Sequence, residues 1–288
     1  MILITGAAGK TGRAVIGALA ARGQPIRAFV RRDDQAPQVT TLGAAETVAG
    51  DLRDLAALER AGRGAGAVYH ICPNMSPDEV TIGRAVLSAA RSAGIPRFVY
   101  HSVLHPQTQA MPHHWNKLLV EESIFESGLD YTILQPAAYM QNLLAGCRAI
   151  VEQGVYAVPY PPETRLGLVD LDDVAEAAAV VLTQAGHASA TYELAGPEVL
   201  TQAEVAEILS RRLGRPVRAE RIPLEIWVDR ARASGMGAYQ VETLATMFRY
   251  YERYGFWGNP RVLTGLIGRS PTTFEGFVAR ALGRPSRS

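Results

Sequence analysis

Apolar residues are laid out in two alternating rhythms along the first half of the chain. Short unbroken apolar runs, bounded by Gly, Pro or charged residues, alternate with longer stretches in which apolar positions recur at helical spacing. The short runs are Met1 to Ile4, Pro25 to Val30, Glu46 to Leu52, Gly66 to Cys72, Arg97 to Val103 and Tyr131 to Gln135, and they read as strands buried on both faces. Arg13 to Ala21, Leu55 to Glu59, Pro77 to Ala93 and Met111 to Ser127 read as helices. This alternation predicts an α/β protein with a doubly wound parallel sheet. In the helix from Met111 to Ser127, the expected apolar stripe is Trp115, Leu118, Leu119 and Phe125, while His113, Lys117 and Glu121 share another face at i, i+4, i+8.

Beyond Pro136 the rhythm loosens. Ala137 to Glu152 is predicted helical, and Gly154 to Tyr160 is a Tyr- and Pro-rich strand or loop. Asp170 to Val174 opens an alanine-rich helix with acids in its first turn, and Tyr192 to Gly196 reads as a further strand. Thr201 and Glu204 make a capping box for a helix through Leu213. The aromatic concentration from Tyr239 to Gly258 suits internal packing or a homodimer surface.

The first strand runs into Thr5-Gly6-Ala7-Ala8-Gly9-Lys10-Thr11-Gly12, where glycine recurs at every third position. A phosphate can lie on the first free N–H groups of a helix only where no Cβ intervenes. Gly6 would make the turn, Gly9 would admit a pyrophosphate, and Gly12 would let helix and strand pack closely. Because the motif sits between a strand and a helical run, it predicts a dinucleotide site. Residues 1–136 are then the NAD(P)-binding core. Residues 137–288 are a mixed segment that completes the sheet and forms a smaller lobe.

Ligands of such sheets bind outside the carboxyl ends of the strands, which aligns Gly6 to Gly12, Arg31, Asp51, Cys72 and Ser102 along one rim. An acid after the second strand would meet the ribose 2′-hydroxyl of NAD, and an arginine would meet the 2′-phosphate of NADP. Arg31, followed by Arg32, comes first and points to NADP(H) over NAD(H), with Asp33 as the acid of the other choice. Asp51 is placed to face the adenine, or else to cap the following helix.

A formal net charge of +1 gives no electrostatic reason to expect nucleic acid or an acidic membrane as partner. Cys72 and Cys147 lie in no metal-ligand or redox spacing, and His101, His105, His113 and His114 lack an acidic or thiolate partner at ligand spacing, so no metal is expected. With the first strand starting at Met1 and no apolar stretch of membrane-spanning length, the expected location is cytoplasmic.

The start ILITGAAGKTG, the strand end FVRRDD, the GDL at 50 to 52 and the run HHWNKLLVEESIFESGLDYTILQPAAYMQN at 113 to 142 together resemble the NmrA-like branch of the atypical short-chain dehydrogenases. The run GRSPTTFEGFV at 268 to 278 resembles the end of that family. The resemblance implies a Rossmann sheet in the order 3-2-1-4-5-6-7 and a small C-terminal α/β lobe, with the substrate cleft between them. It also implies that Gly6, Gly9, Lys10, Thr11 and Gly12 hold the pyrophosphate, that Arg31 meets the 2′-phosphate, that Asp51 and Leu52 border the adenine, and that Lys117 binds the nicotinamide ribose. Arg32, Cys72, Pro73 and Pro136 complete the expected cofactor set. His105, Tyr139, Met140 and Asn142 are the expected substrate-side residues.

Short-chain dehydrogenases generally carry a YxxxK pair, and here the Tyr position is His113. An imidazolium one turn from Lys117 would be a competent proton donor, and Ser102 would polarise a carbonyl; the alternative is that His113 packs or caps the helix start. Two functions are expected. One is an NADPH-dependent reductase of a quinone, enone or similar small carbonyl compound. The other is an NAD(P)-binding redox sensor that regulates a protein partner. An isomerase or lyase on the same fold is a third.

Overall fold

The computed structural model describes residues 1–282. Its strands and helices come in chain order as β1 (Ile2–Ile4), α1 (Lys10–Ala20), β2 (Ile26–Val30), α2 (Ala36–Thr40), β3 (Glu46–Ala49), α3 (Leu55–Gly62), β4 (Ala67–His70), α4 (Glu79–Ser92), β5 (Arg97–His101), α5 (Pro112–Phe125) and β6 (Asp130–Pro136). They continue as β7 (Ala138–Tyr139), α6 (Cys147–Gln153), β8 (Val155–Val158), β9 (Arg165–Val169), α7 (Leu171–Thr183), β10 (Ala190–Leu194), β11 (Val199–Thr201), α8 (Gln202–Leu213), β12 (Arg218–Arg221), α9 (Leu224–Ala233), α10 (Ala238–Tyr254), α11 (Arg261–Ile267) and α12 (Phe274–Ala281).

Two compact units emerge: Met1–Pro136 with Val174–Glu193, and Ala137–Asp173 with the chain from Leu194 onward. The first holds a seven-stranded sheet in the order β3-β2-β1-β4-β5-β6-β10, the order that the resemblance implies. All the pairings from β3 across to β6 are parallel. The apolar runs are the reason, because β1 and β4 are buried along their whole length and have no face to give to water. On one side of the sheet Leu3, Phe29, Val68, Phe98 and Ile133 pack with Leu58, Ile82, Val86, Val120 and Ile124 of α3, α4 and α5.

The second unit contains the three-stranded sheet β11-β9-β7 and the parallel pair β12-β8. Its core joins Met140, Leu143 and Ile150 to Val205 and Leu209 of α8 and to Phe274, Phe277 and Val278 of α12. Asp170 and Asp173 are fully buried, and Arg280 and Arg269 pair with them. The expected capping box at Thr201 is present, with Thr201 Oγ1 accepting from the Glu204 N–H and Glu204 accepting from the Thr201 N–H.

Two local expectations are corrected. Residues 137–152 are not one helix: the Ala137 N–H donates to the Leu194 carbonyl, β7 pairs with β9, and a 3₁₀ turn over Met140–Gly146 precedes α6. Sheet pairing takes the backbone groups that a helix would have used. On α5, the stripe of Trp115, Leu118, Leu119 and Phe125 is not the buried face. Phe125 is 50% exposed and rests on Tyr131, whereas His114, Val120, Glu121 and Ile124 are buried. The helix turns His114, Lys117 and Glu121 inward because each of these finds a partner there.

Part of the aromatic concentration is internal packing of the second unit. Tyr160 packs on Phe248 and Tyr251, Trp227 on Phe248, and Tyr251 on Phe256.

Candidate cofactor and active site

The glycine turn follows β1 inside the first unit. Gly6 sits at φ +60°, in the left-handed region, and a methyl at its Cα would stand 2.7 Å from the Ile71 carbonyl oxygen of the neighbouring β4 end. At Gly12 the same methyl would meet backbone on two sides, 2.5 Å from the Gly6 oxygen and 2.7 Å from the Ala7 Cα. Gly9 is the N-cap of α1 and supplies no capping side chain, and the first turn carries no acid. The helix therefore offers N–H donors and the positive end of its dipole at a cradle that any Cβ would fill, which fits a pyrophosphate.

Next along the rim, Arg31 and Arg32 follow β2 and both are exposed. They differ in what holds them. Arg32 is locked bidentate on Asp34 at 3.0 and 3.1 Å, while the Arg31 guanidinium makes no ion pair among the described residues. Asp51 lies just past β3, and Arg53 donates to it from its backbone N–H at 2.8 Å and from its guanidinium at 2.8 and 3.0 Å. These bonds, helped by the Arg31 charge, hold the Asp51 carboxyl at about 2. Asp51 is not the cap of α3; Asp54 is, accepting from the Ala57 N–H. Leu52 packs against the first unit's core.

At the carboxyl end of β5 lies a buried polar centre that sequence patterning did not reveal. Lys117 Nζ donates to Glu79 Oε1 at 2.9 Å and to the His101 carbonyl at 3.3 Å, and stands 5.2 Å from the centre of the Tyr100 ring. Tyr100 Oη donates to the same Glu79 oxygen at 2.8 Å. Burial pushes the Glu79 carboxyl up, but the Lys117 charge and the two hydrogen bonds outweigh it and hold the group below its ordinary range.

Ser102 is next to this centre in sequence, and its hydroxyl donates to Glu121, which also accepts from Gln135 Nε2 at 3.0 Å on each oxygen. Ser102 is only 2% exposed. Its one proton is committed to a buried carboxyl group, which burial pushes up despite these bonds, so polarising a substrate carbonyl, the role expected of Ser102, would require breaking that bond.

The histidines change character as well. Burial, with the nearby His114 and Lys117 charges, pushes His113 down to about 3, and its Nδ1 is buried without a partner. Charging His113 at neutral pH would strand a cation away from water, which disfavours the imidazolium expected there. Burial likewise holds His101 at about 3 and His70 and His114 at about 4. His114 Nδ1 donates to the His105 carbonyl at 3.1 Å, and His105 itself lies at φ +53°.

These four rings carry a prediction. Unfolded, each histidine takes up a proton near pH 6.5, whereas folded it stays neutral to about pH 4 or below. Between those values the unfolded state binds more protons, so stability falls as pH is lowered, by up to about 1.4 kcal/mol per pH unit for each ring. Urea unfolding at pH 7 and pH 5 should show a loss of several kcal/mol at the lower pH. An unchanged or rising midpoint would contradict the assigned neutral states.

The remaining expected residues are dispersed. Cys72 is buried in the first core, and burial pushes its thiol up, which makes it an unreactive packing group; Pro73 is exposed beside it. Pro136 ends β6 with its carbonyl accepting from the Leu104 N–H at 2.9 Å. Tyr139, Met140 and Asn142 belong to the second unit, where Met140 is core. Glu79, Tyr100, Gln135 and Arg53 were missed. An acid in the first turn of a helix reads as a dipole complement, and nothing in the linear pattern says that it is buried. Among the described residues no cluster of side chains could hold a metal ion, and no helix is long and apolar enough to cross a membrane.

Comparison with known proteins agrees with the fold and with a nicotinamide cofactor. The NAD(P)H azoreductase of Xenophilus azovorans is 33% identical over 290 residues, which span 100% of this chain and 95% of the relative. The structure of the NADPH-dependent quinone oxidoreductase of Escherichia coli complexed with NADPH matches with a TM-score of 0.86 at 28% identity, covering 98% of this chain and 100% of that one. The triphenylmethane reductase of Citrobacter sp., complexed with NADP(H), matches with a TM-score of 0.86 at 27% identity over the same shares. The model of the NmrA-like family matches residues 1–278, and the chain belongs to that family.

Proposed function

We propose that the protein is an NADPH-dependent oxidoreductase that reduces a quinone, enone or similar small carbonyl compound by hydride transfer. The observation that carries this reading is the Lys117 ammonium, gripped from behind by Glu79 and the His101 carbonyl in the same unit as the uncapped glycine turn. The reductase relatives support it. An ammonium has three donors, and two are spent on the protein, which leaves one for a ribose hydroxyl. The glycine turn binds the pyrophosphate, Arg31 the 2′-phosphate, and Asp51 and Leu52 border the adenine. Bound there, NADPH would supply the hydride.

The protein's own contribution is mostly orientation. His113 stays neutral and serves at most as a hydrogen-bond donor. A quinone suits such a site, because hydride transfer to it yields a stabilised phenolate that solvent can protonate.

Titration with NADPH and NADH, followed by stopped-flow oxidation of the bound cofactor with a panel of small quinones, tests the reading. Tight NADPH binding with saturable oxidation is the expected result. Binding without oxidation by any acceptor favours the second reading, a redox sensor of a protein partner, to which the committed hydroxyl of Ser102 and the neutral His113 also lend weight. Absence of binding overturns both.

Cofactor choice has its own prediction. Arg31→Ala should weaken NADPH by about tenfold or more, the worth of one charge-assisted phosphate contact, and leave NADH unchanged. Equal loss for both cofactors would remove Arg31 from the 2′-phosphate site.

A further inference from the structure

We propose that Glu79 is a positioning residue that aims the Lys117 ammonium at the cofactor ribose, an inference that rests on the reading given under Proposed function. Glu79 is the first residue of α4 and only 3% exposed. The Lys117 charge and the hydrogen bonds from Lys117 and Tyr100 keep the carboxylate ionised although it is buried, at a helix start that itself suits a negative charge. Its Oε1 is fixed by the Tyr100 hydroxyl, and the Tyr100 ring stacks on His70 at 5.7 Å. His70 Nδ1 lies 2.8 Å from Thr5 Oγ1, which accepts from the Ile71 N–H and stands immediately before Gly6. One continuous set of buried contacts thus runs from the glycine turn through Thr5, His70, Tyr100 and Glu79 to Lys117.

Stability alone gives little reason for such a pair, since a buried ion pair is often replaceable by packed apolar side chains at no loss. The choice of cation points the same way. Lys10 and Lys117 are the two lysines in a chain with 29 basic residues, so arginine supplies positive charge everywhere outside the expected cofactor set. A compact ammonium with three separately directed donors can be held from two sides and still present the third, which a planar guanidinium fork cannot do in the same space.

The test uses the full chain with Glu79→Gln, Lys117→Met and the two combined, reading the NADPH dissociation constant, the single-turnover oxidation rate and Tm. Glu79→Gln should raise the dissociation constant about tenfold and slow oxidation. In the Lys117→Met background the same change should alter neither, while raising Tm by removing an unpaired buried carboxylate. A Glu79→Gln protein that loses Tm but keeps the parent's affinity and rate would overturn the inference and leave the reductase reading standing; a parent that binds no NADPH would overturn both.

A second readout needs no cofactor. In ¹⁵N-lysine-labelled Lys10→Arg protein, Lys117 is the one remaining lysine, and its ammonium should give a slowly exchanging signal that Glu79→Gln abolishes. Absence of that signal from the Lys10→Arg protein would also overturn the inference.

Discussion

Lys117→Ala should raise the NADPH dissociation constant by about tenfold or more and slow hydride transfer by about a hundredfold, because a mispositioned reactant forfeits much of the advantage of orientation. Stopped-flow oxidation of bound NADPH measures the second effect separately from the first. The variant should also be less stable. Removing the ammonium leaves Glu79 as a buried carboxylate with no compensating cation and neutral hydrogen-bond partners such as the Tyr100 hydroxyl, a loss of about 3–5 kcal/mol when one member of a buried pair is deleted. Adding Glu79→Gln should restore much of that stability and none of the rate. If Lys117→Ala left both affinity and rate intact, Lys117 would be a structural residue, and the proposed reductase site would lose its centre.

Gly12→Val is expected to have the other large effect. The new side chain would have to displace backbone rather than a flexible neighbour, since the Gly6 oxygen and the Ala7 Cα both lie within 2.7 Å of the added Cβ. Overpacking of this kind costs about 1–3 kcal/mol. Here α1 would tilt off the turn and carry its N–H groups away from the pyrophosphate, so NADPH affinity should fall below detection while the protein stays folded. Gly17→Ala in the same helix is the contrast. Nothing lies within 4 Å of its added methyl, and it should raise stability by up to about 1 kcal/mol without touching affinity. Isothermal titration with NADPH and thermal unfolding of both variants separate the effects; normal binding by Gly12→Val would mean that the turn holds no phosphate.

Much of the architecture was legible because it depends on local signals. Apolar runs at β1, β4 and β5 mark strands buried on both sides, the Thr201–Glu204 box marks the start of α8, and the glycine spacing marks a turn that side chains would block. The segment after Pro136 was less legible. The backbone of residues 137–139 is claimed by strands far away in sequence, and pairing of that kind leaves no periodic trace over so short a stretch.

What the sequence determined by itself is the parallel α/β class, the glycine turn between β1 and α1, and the placing of Arg31 and Asp51 just past strand ends, since spacing alone places each of them; Lys117 on α5 is singled out by the family resemblance. Only the tertiary structure decided which of these groups are free to act. It turned the polar face of α5 inward, committed Ser102 to Glu121 and Arg32 to Asp34, made His113 a neutral ring, and brought Glu79 from α4 to Lys117 across 38 positions of chain. The physical reason is that burial sets a side chain's charge and its partners, and burial is a property of neighbours that the linear order does not contain.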